Sequence, residues 1–235
     1  PPRLVKDSLL RHKHTKYFSN HKYFLNKMGK SSGGIRNDSR NDIIMQKGGG
    51  TPSSVKNIGS IKDITDKKAN REVKRAISKY HSRIGLNTRE VKLADLKNAY
   101  GIAVISNNSG TVYLNRKSFN NSKAMVKSKK EEYRRGEKVH TNKAIQHTTI
   151  HELAHTTWTN RHTGDKHKKA GKEIKALYKQ YTKTKSNVLG GYARQNINEF
   201  YAEGMSKAIL GKKDPYSKKL LEITCNSRYF IPRRN

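Results

Sequence analysis

His151-Glu152-Leu153-Ala154-His155 is the stretch on which the reading of this chain turns. On a helix, residues four apart share a face, so His151 and His155 can offer two imidazoles to one metal ion. Glu152 is rotated away by one residue, close enough to take a proton from a water on that ion. HExxH on a helix reads as a zinc hydrolase site with the glutamate as general base. The bland alternative is a solvated helix with two surface histidines. Three features weigh against it. Ala144 to Trp158 contains no Pro or Gly, so a helix can run through it. Ile150, Leu153, Ala154 and Trp158 supply an apolar surface beside the histidines. A third ligand is also available downstream.

A catalytic zinc takes three protein ligands and leaves one position for water. The extended motif HExxHxxGxxH needs Gly at 158 and His at 161, where this chain has Trp158 and Arg161. His162 is one residue out of step, and His162 and His167 sit in a Lys-rich stretch that reads as solvated. The stronger candidate is Tyr192-Ala-Arg-Gln-Asn-Ile-Asn-Glu199-Phe-Tyr-Ala-Glu203. Asn196 or Asn198 can cap a helix running to Ile209, with a stop at Gly211. On it Glu199 and Glu203 are four apart and repel each other modestly, an arrangement that cations in front of them would explain. Glu199 then binds the metal, and Glu203 accepts a ring N–H from a ligand histidine and sets its tautomer. Spacing alone leaves open a surface helix whose acids pair with Lys and Arg.

The pair of motifs HELAH and YARQNINEFYAEGM resembles the anthrax lethal-factor-like zincin metallopeptidase domain, whose second motif has the form Tyr-x-x-x-Asn-x-x-Glu-Phe-Phe-Ala-Glu. Related domains occur at the C-terminal ends of phage head-morphogenesis and minor head proteins. The segment Gly110 to Phe119 is similar to the strand such domains place before the metal helix. The likeness covers about residues 70 to 235. It implies zinc as cofactor, His151, His155 and Glu199 as ligands, and Glu152 as base. It further implies Tyr192 as the phenol that steadies the oxyanion and Glu203 behind a ligand histidine. Tyr201 replaces the commoner Phe, and Ile197 stands where an acid is often seen; neither change removes a catalytic group. The location implied is a phage virion or the host cytoplasm, with phage structural proteins among the partners.

Composition bounds the rest. The 235 residues are 32% hydrophobic and carry a formal net charge of +33, so a core of ordinary size must coexist with extended basic segments. Such charge favours a polyanionic partner, nucleic acid or an acidic protein. Cys225 is alone, which rules out an intramolecular disulfide. No apolar run approaches transmembrane length, and no membrane partner is expected. The chain begins at Pro1 instead of Met, an observation that suggests cleavage.

Residues 1–28 are basic with interleaved aromatics, including Lys16-Tyr17-Phe18 and Lys22-Tyr23-Phe24. They suit an arm that plugs into a neighbouring protein, or a single-stranded nucleic acid on which the rings stack. Residues 29–62 read as a flexible linker rich in Gly and Ser, ordered only by a partner. From 63 to 235 the pattern is that of an α+β zincin-like domain. It opens with a basic helix carrying Val73, Ala76, Ile77, Tyr80 and Ile84 and ending near Gly85. Strand-like runs follow at Glu90 to Leu96, Tyr100 to Ser106 and Thr111 to Ser118, with Asn107 to Gly110 as a turn. The Lys-rich stretch 123–143 reads as a helix or loop over the cleft. Lys166 to Thr184 reads as a helical connector, broken by Gly190-Gly191, glycines that either let Tyr192 swing inward on substrate binding or simply form a loop.

The expected activity is zinc-dependent hydrolysis of a peptide or protein substrate, with the strand Thr111 to Ser118 pairing to the extended substrate. The rival reading is a structural or nucleic-acid-associated virion protein on the same scaffold, with little or no proteolysis. A toxin delivered to a bacterial host would share the active site and differ only in destination.

Overall fold

Val73, Ala76, Tyr80 and Ile84 recur at helical spacing, and all are buried along helix α1, Lys67–Ile84. Asp66 caps it by accepting the Ala69 N–H, and Gly85 ends it at φ 84°, a conformation that a β-carbon would disfavour. The structure is a computed structural model describing residues 43–45, 54–85, 88–97, 99–106, 109–137, 143–160, 165–211 and 214–227. The basic arm at 1–28, the turn residues 107–108, position 162 and the tail from 228 lie outside the described residues.

Among the described residues, five strands form one mixed sheet: β1 Ile43–Met45, β2 Lys56–Ser60, β3 Thr88–Asp95, β4 Gly101–Ser106 and β5 Ser109–Asn115, in the order β1-β4-β5-β3-β2. β4 and β5 are antiparallel, β5 and β3 parallel. Ser109 and Gly110, expected in the turn, are strand residues opposite Ser106 and Ile105. The third expected strand stops at Asn115 instead of Ser118. The Asn115 carboxamide accepts the Lys117 N–H and donates to the Leu96 and Ala99 carbonyls, which turns the chain into the short helix α2, Arg116–Phe119.

The expectation that Thr111 to Ser118 pairs with substrate is overturned. β5 lies between β4 and β3 and uses both of its edges inside the sheet. The stretch read as linker supplies the two outer strands, β1 against β4 and β2 against β3. Backbone pairing orders those residues, a contribution that composition does not register.

The remaining helices are α3 Ser122–Arg134, α4 Ala144–Asn160, α5 Asp165–Lys183, α6 Ile197–Ile209 and α7 Pro215–Asn226, with a 3-10 turn at Tyr192–Arg194. α4 packs against β4, β5, α1 and α6. Contact with the sheet is close: a β-carbon on Gly110 would lie 2.6 Å from the Thr156 side chain. Leu93, Val112 and Leu114 join Ile150 and Leu153 in the main core, while Ala94, Val104 and Tyr113 form a second cluster with Val55 and Leu96.

Every residue of α4 from Ala144 to Trp158 is buried, so its polar side chains need internal partners. Thr149 and Thr156 donate to the Ile145 and Leu153 carbonyls, and Thr157 bonds the Tyr80 hydroxyl. Tyr201, where the resembled motif has Phe, stacks on Trp158 and places its hydroxyl 3.1 Å from the Thr224 hydroxyl. The architecture is α+β. Among the described residues no helix is long and apolar enough to cross a membrane.

Candidate metal centre

Two helices build the site. On α4, the pitch of 3.6 residues stacks His147, His151 and His155 on one face. On α6, Asn196 is the N-cap; its side-chain oxygen accepts the N–H groups of Asn198 and Glu199. That cap sets the first turn, so Glu199 and, one turn later, Glu203 point at α4. Both carboxylates are fully buried.

The contacts run in opposite senses along the two helices. His147 Nε2 lies 3.2 Å from Glu203 Oε2, and His151 Nδ1 lies 3.2 Å from Glu203 Oε1. His151 Nε2 then lies 3.1 Å from Glu199 Oε2, and His155 Nε2 lies 3.6 Å from Glu199 Oε1. The two Nε2 atoms are 3.0 Å apart. His151, His155 and Glu199 thus bring one ligand atom each within 4.8 Å of one another, all three residues buried.

This donor set fits a tetrahedral zinc. Zn–N bonds of about 2.0–2.1 Å put two ligand nitrogens about 3.3 Å apart at tetrahedral angles, close to the separation observed. With Nδ1 of His151 facing Glu203, its Nε2 is the atom turned to the focus. The electrostatics agree with the geometry: charged carboxylates this deep are costly unless compensated, and a divalent cation would offset both Glu199 and Glu203.

Glu152 is buried beside this cluster, one residue round the helix from His151. Its side chain lies on the backbone of Gly101, the first residue of β4. A β-carbon there would fall 2.5 Å from Glu152 Cγ. The Tyr192 ring is also close, its centroid 6.0 Å from that of His151.

The segment carrying Tyr192 is tied down on several sides. The N–H groups of Gly191 and Tyr192 donate to the Gly136 and Glu137 carbonyls, each at 2.8 Å. The Arg194 guanidinium bonds the Thr184 and Ser186 carbonyls and lies 4.8 Å over the Tyr181 ring. The two glycines meet geometric needs at this turn. Gly190 has φ 78°, and a β-carbon on Gly191 would crowd the Gly136 carbonyl at 3.2 Å.

All six residues singled out from sequence therefore lie in one neighbourhood or on its immediate flanks. Three others escaped that reading. His147 extends the fourfold spacing of the histidines by one more turn, a signal that was visible. Gly101 heads an apolar run, where a glycine marks close backbone approach. The Arg194 clamp left no trace in the motif. No protein-family model, curated protein or solved structure matches the chain.

Proposed function

We propose that the chain is a zinc-dependent metallopeptidase of zincin type, with His151, His155 and Glu199 as the metal ligands. The observation that carries this reading is the convergence of two imidazole Nε2 atoms and one buried carboxylate from two separate helices. Held by these three residues, zinc would supply a Lewis acid and would bring the pKa of a water to about 7. Glu152 accepts the proton of the attacking water on a carboxylate oxygen and passes it to the leaving amine. The Tyr192 hydroxyl donates to the oxygen that gains charge as the peptide carbonyl becomes tetrahedral. Glu203 holds His151 through Nδ1 and keeps Nε2 as the ligating atom. The substrate is an extended stretch of a peptide or protein.

The net charge of +33 favours a second role, in which the domain belongs to a nucleic-acid-bearing assembly such as a phage particle and cleaves little. One experiment separates the two. Elemental analysis of the purified chain is combined with digestion of a peptide library, with and without a chelator. One zinc per chain and cleavage blocked by the chelator support the peptidase. Zinc without cleavage supports the scaffold, and no uptake of zinc removes the metallopeptidase. Glu152→Gln sharpens the result, because it should retain the metal and lose turnover.

A further inference from the structure

His147 takes no part in the mechanism above, yet it is nearly inaccessible and faces the site. Its side chain is 8% exposed, and its Nε2 lies 3.2 Å from Glu203 Oε2. The other oxygen of the same carboxylate lies 3.2 Å from Nδ1 of His151, whose Nε2 is at the metal focus. One buried carboxylate therefore lies within ion-pair distance of two imidazoles one helical turn apart, without hydrogen-bond alignment at His147. Only one of those rings touches the proposed ligand sphere.

We propose that His147 is a positioning residue for the metal centre: it anchors Glu203, and through Glu203 it fixes the rotation of the His151 ring. The inference rests on the zinc reading and deepens it.

A carboxylate can rotate about its last side-chain bond, and a single donor at one oxygen leaves that rotation soft. A second imidazole nitrogen, 3.2 Å from the other oxygen, restricts that rotation. It also offsets part of the cost of keeping the charge out of water. The orientation of His151 is set by the carboxylate it faces, so looseness at Glu203 becomes looseness at Nε2. The backbone holds His147 in register, since its N–H donates to the Lys143 carbonyl at 2.8 Å in the first turn of α4. Groups behind a ligand histidine are typically worth about 10–100-fold in metal affinity.

The test measures zinc affinity by competition with a chromogenic chelator, alongside the melting temperature of the metal-free chain. His147→Leu keeps the volume and removes the polar ring edge beside Glu203; it should weaken zinc binding about tenfold or more. His147→Gln returns an amide N–H at similar reach and should recover most of the loss. In a Glu203→Gln background, His147→Leu should add little further loss, because its effect passes through Glu203.

A purely structural histidine gives a different pattern: both His147 variants lower the metal-free melting temperature and neither changes zinc affinity, which overturns the proposal. Equal losses for Leu and Gln, or losses that add in the double variant, overturn it as well. If the parent chain takes up no zinc, the underlying metal assignment fails too, and that outcome is distinct from a parent that binds zinc normally beside an unaffected His147→Leu.

Discussion

Glu152 rests on the bare backbone of Gly101, so closely that the first atom of any side chain at 101 would fall 2.5 Å from Glu152 Cγ. The proposed base is thereby seated against a strand position that carries no side chain. Gly101→Ala should push the Glu152 carboxylate off its place and cost about 1–3 kcal/mol of stability through overpacking. Peptide hydrolysis should fall at least about tenfold, since a displacement of about 1 Å can cost a hundredfold. Zinc content should be unchanged, because the three atoms nearest a β-carbon at 101 all belong to Glu152 and not to a ligand. Kinetics and metal analysis on one preparation check both halves; parental activity would show that Glu152 needs no such support.

Tyr192→Phe keeps the ring that lies 6.0 Å from His151 and deletes only the hydroxyl. Zinc affinity and melting temperature should stay at the parental values. Turnover should drop about a hundredfold, the usual effect of losing one oxyanion donor worth about 3 kcal/mol. A variant whose kcat matches the parent's would remove Tyr192 from the mechanism.

Folding and metal binding should be linked through Glu199. A ligand bound only by the folded state, at a thousand times its Kd, adds about 4 kcal/mol of stability. For a domain of this size each kcal/mol raises the melting temperature by about 2–4 °C. Zinc should therefore raise the parental melting temperature by about 8–16 °C, and a chelator should reverse the gain. Glu199→Gln should lose most of that response, since the neutral amide is a poor zinc ligand. Calorimetry with and without zinc measures it, and a parent that melts at one temperature in both conditions contradicts the assigned site.

The charge argument is testable without reference to catalysis. Lys67, Lys68, Arg71, Lys74 and Arg75 are exposed along α1, and Glu72 is the only acid among the helix's residues, already paired with Arg75. If this surface meets nucleic acid, affinity for duplex DNA should fall about a thousandfold between about 50 and 200 mM salt. Reversing Lys67, Arg71 and Lys74 to Glu should flatten that slope. Binding indifferent to salt would exclude the phosphate backbone as the partner.

Residue order alone was sufficient for what lies within single elements. The fourfold spacing of His151 and His155, the burial of Ile150, Leu153 and Trp158, the Asn196 cap and the inner face of α1 all follow from helical periodicity and local capping. Those signals are local, because each depends on residues a few positions apart. Even the two carboxylates of α6 could be placed on one face, although periodicity could not say whether that face met water or metal.

The remainder was decided when the elements packed. That β5 is central, and so closed to a substrate, depends on β3 pairing with it from outside the β4–β5 hairpin. That residues of the Gly-rich stretch become the two edges depends on backbone hydrogen bonds, for which side-chain composition carries little signal. That Glu199 meets two imidazoles, that His147 shares Glu203 with His151, and that Gly101 lies under Glu152 are contacts between residues far apart along the chain. Periodicity determines which face an element presents; only the three-dimensional packing determines what that face meets.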